Sequence, residues 1–274
     1  MNNLSKFLIG AATVSMVVMA QSCSSSNDEG KIGIVAHRGY WNCEEAGFAR
    51  NSVAALKCAQ EAGYWGSEFD VNMTSDEVLL VYHDSKIDGK VIDQTPASEF
   101  KDVRLSNGEP IPTIDQYLEQ GKKYPKTKLV YELKPHSTPE IENRLVDITL
   151  EKLKKYGLNS PKRVMFISFS INICKRLAEL APEYTVQYLG SDYSPADLAS
   201  FKINGVDFHY NVFYKNPDWL ESARENSMSV NVWTVNNKAD MEKMIGMGVD
   251  MITTDHPEEV RALLGENELS FSKK

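Results

Sequence analysis

The chain lacks the features that would place it in several common classes. It has 4 cysteines in 274 residues and no paired Cys spacing, so neither a disulfide framework nor a cysteine zinc site is on offer. Its 5 histidines do not cluster, which also argues against zinc. Lys and Arg number 30 against 38 Asp and Glu, a formal charge of -8, and the lysines are scattered rather than striped. That pattern is not a nucleic-acid footprint. No apolar run reaches the roughly 18 residues a membrane-spanning helix needs. No glycine-rich phosphate turn follows the first apolar strand, where a doubly wound nucleotide-binding sheet would carry one.

What is present begins with a targeting segment. Lys6 precedes an apolar stretch, Phe7 to Ala20, that ends at Ala20-Gln21-Ser22-Cys23. A small residue before Cys after such a run resembles a bacterial lipoprotein processing site; an ordinary secretory peptide is the plainer alternative. The expected layout is a signal peptide over 1–22, a serine-rich tether over 23–31 starting at a lipidated Cys23, one domain over 32–265 and a polar tail over 266–274. The protein is then expected outside the cytoplasm, anchored to a membrane by its lipid, with a Gram-negative outer membrane as the expected site. Lipid on Cys23 leaves Cys43, Cys58 and Cys174, read as buried free thiols, with a Cys43–Cys58 bridge as the alternative in an oxidising compartment.

From Ile32 onward, short apolar runs alternate with helical spacing. Strands are expected to start near 32, 66, 128, 164, 185, 206, 230 and 249. Helices follow most of them, for example Asn51–Ala62, Thr113–Lys122, Thr138–Tyr156 and Pro217–Glu225, the last ending at Pro257–Leu264. Eight strands with intervening helices at this length predict a (β/α)8 barrel, with a doubly wound open sheet as the alternative. Residues 85–112, polar and rich in Gly and Pro, are too long for a plain loop and predict a small insertion.

The stretch Trp65–Asp84, WGSEFDVNMTSDEVLLVYHD, organises the candidate site. Glu68 and Asp70 are two apart, so on a strand they share a face. The linker Thr74–Glu77 is too short for a parallel crossover, which predicts an antiparallel return arm. Folding about Asp76-Glu77 would bring His83 opposite Asp70. Chemistry in such barrels sits at the C-terminal strand ends. There the chain places His37 and Arg38, then Glu68 and Asp70, then Glu132 and Lys134, then Ser168 and Phe169, Trp233 and Asp255. Three acids in one bowl repel one another. Lys134 and Arg38 with a salt-bridge network, or a hard divalent cation such as Mg²⁺ or Ca²⁺, would answer that charge. Two imidazoles, His37 and His83, could pass protons near neutral pH. His136, His209 and His256 read as loop or supporting residues.

These motifs together carry a family resemblance. AHRGY at 36–40, NSVAAL at 51–56, SEFDVNMTSDEVLLVYHD at 67–84, SNGEPIPTIDQYL at 106–118, YELK at 131–134, SFS at 168–170, WTVN at 233–236 and DMITTDHP at 250–257 fall in family order. The chain resembles the glycerophosphodiester phosphodiesterases of the phosphoinositide-phospholipase-C-like barrel superfamily, from about Ile32 to Leu264. The resemblance implies cleavage of small glycerophosphodiesters to an alcohol and glycerol 3-phosphate. It implies His37 and His83 as the acid/base pair, leaning to His37 as base and His83 as acid. It further implies Arg38 and Lys134 at the phosphate, Trp233 beside the substrate, and Glu68, Asp70 and Glu132 around one divalent cation. Phospholipase C- or D-like cleavage of intact lipids and a non-catalytic surface binder are the alternatives. One departure stands out: Ala49-Arg50-Asn51-Ser52 replaces the family's usual Pro-Glu-Asn-Thr, putting Arg50 where an acid is expected. Glu44 or Glu45 could substitute for it. Tyr40-Trp41 could form an apolar lip over the alcohol moiety, or simply pack the loop.

Overall fold

The strands at the centre of the chain read as nearly continuous apolar runs because both of their faces are covered, by helices outside and by packed side chains within. The computed structural model describes residues 32–271. The expected signal segment, Cys23 and the tether lie outside the described residues. Among the described residues the strands are β1 (Gly33–Ala36), β2 (Gly66–Met73), β3 (Leu79–Val81), β4 (Lys86–Ile87), β5 (Lys90–Val91), β6 (Lys128–Leu133), β7 (Val164–Ser168), β8 (Val186–Tyr188), β9 (Gly205–His209), β10 (Ser229–Trp233) and β11 (Met251–Thr254). Parallel pairing runs β1-β11-β10-β9-β8-β7-β6-β2, and β1 also pairs with β2 through Val35↔Gly66 and Ala36↔Ser67. The sheet therefore closes as an eight-stranded parallel barrel ringed by helices, as expected.

Inside, Val35, Val130, Met165, Ile167, Leu189 and Met251 form an apolar plug, with Trp65 and Trp233 packed against it. Outside, the helices bury their apolar faces on the barrel in one large core that includes Phe69, Tyr131, Phe166 and Phe208. Side chains cap the helix starts. Ser52 accepts from the Ala55 amide, Thr113 and Gln116 form a capping box, and Thr138 caps the helix Pro139–Lys155.

The returning arm β3 runs antiparallel to the upper half of β2 and stays outside the barrel wall. The register differs from expectation. Met73 pairs with Leu79 and Asn72 with Leu80, and the Tyr82 amide donates to the Asp70 carbonyl. Tyr82, not His83, thus lies opposite Asp70. The loop pivots on Asp76, because Glu77 takes a left-handed conformation (φ 63°) and the Thr74 amide closes the turn onto Val78 O.

The insertion builds a small apolar cluster on the returning arm, with β4 and β5 as a hairpin and Ile87, Ile92, Phe100 and Ile111 gathered around Leu80. Two helix assignments change. A short helix, Asn211–Lys215, precedes Trp219–Glu225, where one helix from Pro217 was expected. The final helix runs Pro257–Phe271, past Leu264 into the expected polar tail. Cys43, Cys58 and Cys174 are free thiols, the last two buried. No helix among the described residues is long and apolar enough to cross a membrane.

Candidate active site

Side chains on a strand alternate, so the residues spaced two apart near the strand ends share the barrel interior. Glu68 and Asp70 of β2, Glu132 of β6 with Lys134 just beyond it, Asp207 of β9 and Trp233 of β10 line one cleft at the C-terminal mouth, together with His37, Arg38, His83 and Phe169. Parallel pairing sets Asp70 directly beside Glu132.

Oxygens of Glu68, Asp70 and Glu132 lie within 4.8 Å of one another, and all three residues are buried. Lys134 Nζ donates to Glu132 Oε1 at 2.6 Å and to Asp70 Oδ1 at 3.1 Å. Asp70 Oδ2 accepts from Asn51 Nδ2 at 2.8 Å, and Arg38 Nε stands 3.6 Å away. Burial, then the charges of Asp70 and Glu132, pushes the Glu68 carboxyl well up from its usual range. Glu132 is pushed up to about 7, by burial and then by Asp70, against the pull of Lys134. Burial works against the Asp70 carboxylate too, but Lys134, His83, the Asn51 bond and Arg38 together hold its pKa below the usual value. Burial disfavours the Lys134 ammonium, yet Glu132 and Asp70 more than offset it and raise its pKa. Glu68 Oε1 is buried without a partner. An all-oxygen donor set with an unsatisfied carboxylate oxygen fits a hard divalent cation.

The turn after β1 builds the opposite wall. Arg38 (φ 55°) and Gly39 (φ 79°) are both left-handed. A Cβ on Gly39 would lie 2.6 Å from Ala55 Cβ, so only glycine fits there. The turn aims the Arg38 amide at Glu68 Oε2, 2.7 Å away. His37 Nδ1 meets Asp255 Oδ1 at 2.8 Å, which leaves Nε2 for the cleft. Asp255 also accepts from Trp41 Nε1 (2.9 Å) and Asn236 Nδ2 (2.7 Å). Burial would raise its pKa, but these donors hold the Asp255 carboxyl well below the usual range, so it is ionised. His83 Nδ1 pairs with Asp84 Oδ1 at 2.7 Å. Burial lowers the His83 pKa, with Asp70 opposing it and Lys134 and Arg38 adding to it. Asn72 steadies that loop by donating to the carbonyls of Tyr82 (2.8 Å) and Asp84 (3.2 Å) on either side of His83.

Other sequence expectations divide. Arg50 lies 4.1 Å over the Trp41 ring, and neither residue lines the cleft. Trp41 reaches the site through Asp255 rather than as a lip, and Tyr40 packs edge-on to Tyr64. Glu44 and Glu45 are exposed and line no part of the cleft, so neither replaces the expected acid. His136 is a strut: its Nε2 accepts from the Met73 amide at 2.9 Å and its Nδ1 meets Lys134 O at 2.7 Å. His209 and Phe169 both pack edge-on to Trp233, forming an aromatic rim.

Sequence reasoning missed Asn51, Asn72, Asn236 and Asp207. Asp207 lies two residues before His209, the same period-two signal that marks Glu68-x-Asp70 and Glu132-x-Lys134. Burial and then the charge of Glu132 push its carboxyl well up, with the nearby Asn231 amide partly offsetting this. Asn51 serves Asp70 twice, since its Oδ1 also accepts from the Asp70 amide at 3.1 Å. Asn51→Ala strips a buried carboxylate and a buried amide of partners, at a left-handed position (φ 57°). It is expected to lower stability by about 1–3 kcal/mol in urea unfolding; an unchanged midpoint would show these bonds to be dispensable.

Comparison with known proteins gives a consistent result. The family model for the glycerophosphoryl diester phosphodiesterase family matches residues 37–259. A crystal structure of a glycerophosphodiester phosphodiesterase from Parabacteroides distasonis is 43% identical, superposes with a TM-score of 0.83, and the match covers 86% of this chain and 98% of that one. A glycerophosphodiester phosphodiesterase of Caldanaerobacter subterraneus is 29% identical over 248 residues, covering 82% of this chain and 94% of the relative. A phosphodiesterase from Oleispira antarctica, solved in complex with the product sn-glycerol-3-phosphate, shares the fold at 23% identity and a TM-score of 0.72, over 85% of this chain and 96% of that one. The cleft described above lies wholly within the matched span, and the chain belongs to the glycerophosphoryl diester phosphodiesterase family of hydrolases.

Proposed function

We propose that the chain hydrolyses small glycerophosphodiesters to an alcohol and glycerol 3-phosphate by proton transfer between His37 and His83, with Glu68, Asp70 and Glu132 holding one divalent cation, Mg²⁺ or Ca²⁺. The observation that carries this reading is convergence. Four carboxylates, three of them in one tight cluster, two cationic side chains and two carboxylate-backed imidazoles line a single cleft. A bound cation supplies positive charge where a phosphodiester gains negative charge on attack. The remaining work falls to the chain's own residues. Arg38 and Lys134 attract the phosphodiester and favour the more highly charged transition state.

His37, with Nδ1 held by ionised Asp255, takes a proton through Nε2 from the nucleophile, either a neighbouring substrate hydroxyl or water. Asp255 then stabilises the imidazolium that forms. His83, whose pKa burial lowers, protonates the departing alkoxide. Trp233 and Phe169 offer the cleft an aromatic wall beside the substrate, and His209 packs edge-on against Trp233. The glycerol 3-phosphate bound by the Oleispira relative supports this substrate class. The phospholipase reading gains little support, because Phe169 is the one exposed large apolar side chain among the cleft residues.

The test is a panel of glycerophosphocholine, glycerophosphoethanolamine and glycerophosphoglycerol with added Mg²⁺ or Ca²⁺, read as free glycerol 3-phosphate. Turnover of at least one is expected, and inertness toward all of them would sink the proposal. We also propose that lipid on Cys23 holds the protein to a membrane outside the cytoplasm. Cys23→Ala should move it from the membrane to the soluble fraction, and an unchanged distribution argues against the anchor.

A further inference from the structure

Asp207 is the least compensated polar side chain of the cleft. It is 0% exposed, and neither carboxylate oxygen has a hydrogen-bond partner. Its neighbours compensate it only in part: the nearby Asn231 amide eases its charge without a bond of hydrogen-bond geometry. Asn231, its register partner on β10, donates to Thr253 Oγ1 at 3.0 Å and accepts from the same hydroxyl at 3.3 Å. Trp233 Nε1 donates to the backbone carbonyl of Asp207, not to its side chain. Directly below, Gly205 leaves room only for Gln187 and Ser229, whose atoms would lie 2.6 and 2.5 Å from any Cβ there. A buried carboxylate without partners is costly. Protonation aside, the compensation open to it lies in the cleft it lines, alongside Glu68, Asp70, Glu132, Arg38 and Lys134.

Charge points the same way. Arg38 and Lys134 offset two of the four carboxylates, and one divalent cation would offset the other two. Asp207 does not share the tight oxygen cluster of the other three acids. We infer that Asp207 is a positioning residue of the cation site, acting on the bound ion from outside the Glu68–Asp70–Glu132 set and raising its affinity. The inference rests on the cation reading given above.

The experiment compares wild type and Asp207→Asn, both stripped with EDTA and dialysed, by calorimetric titration with Mg²⁺ and with Ca²⁺ and by thermal melting with and without ion. Partners outside the ligand set typically contribute about 10- to 100-fold to metal affinity, and a loss of that order is expected for Asp207→Asn. In EDTA the same variant should melt at or above the wild-type temperature, since one of four mutually repelling acids is gone. The ion-induced rise in melting temperature should shrink. Equal ion affinity in variant and wild type overturns the inference and leaves the cation reading standing. A wild type that binds neither ion overturns the cation reading itself. Should Asp207→Asn fail to fold, Asp207→Ser is titrated in its place. Failure of both to fold in EDTA assigns Asp207 a structural role and overturns the inference.

Discussion

His37→Ala and His83→Ala are each expected to lower kcat by about 10²- to 10⁴-fold, the usual share of a positioned proton donor or acceptor. Neither side chain is a core element. His83 is 41% exposed and His37 18% exposed at the side chain, so melting temperatures should stay close to wild type. The two losses should not add. If the imidazoles pass one proton each in a single step, the double variant should be little worse than either single one. The Asp255 contact adds a sharper form of the test. Asp255→Asn keeps the shape but can donate to His37 Nδ1, placing the proton on Nε2, the wrong nitrogen for a base. Its loss in kcat should approach that of His37→Ala. Wild-type rates in either histidine variant would remove the proton-transfer assignment.

Chelation is the second large effect. EDTA is expected to lower turnover by about 10³-fold or more, as loss of several kcal/mol of transition-state stabilisation requires. Added Mg²⁺ or Ca²⁺ should restore it. The pH dependence of stability gives an independent reading. The Glu132 carboxyl rises from 4.5 to about 7 on folding in the ion-free protein, through burial and then Asp70. The folded state therefore binds more protons than the unfolded state in that window, and stability falls as pH rises through it. Glu68 is shifted in the same direction. Asp70, with its pKa lowered, contributes stability that is lost only at lower pH. In EDTA the protein should melt higher near about pH 5 than near about pH 7.5. Saturating cation should flatten or reverse that trend. An ion-free protein that grows more stable across the window, or activity indifferent to EDTA, would contradict the cation assignment.

The parts of this architecture legible in the sequence are those written in local periodicity. The strand starts and most caps follow from apolar spacing and from Ser52, Thr113 and Thr138. The inward parity of Glu68, Asp70, Glu132 and Lys134 follows from period two alone. The register of the β2–β3 hairpin was not legible, because it depends on Glu77 turning left-handed, a conformation its chemistry does not announce. The partner of His37 was also hidden, since a bond across 218 residues leaves no local trace. Asp207 carried a usable signal, but flanked by Val206 and Phe208 it passed for one polar position in an ordinary strand. The Arg50 departure turned out to concern loop packing on Trp41 rather than cleft charge.

The bond between His37 and Asp255 has a consequence for the protein's life history. The imidazole follows the first strand, and its carboxylate follows the last. During synthesis every proposed cation ligand, carried on β2 and β6, is made long before Asp255. Until Asp255 is in place, His37 lacks the carboxylate that orients its Nδ1. On the proposed mechanism, the docking of β11 beside β1 that closes the barrel is also what completes the base.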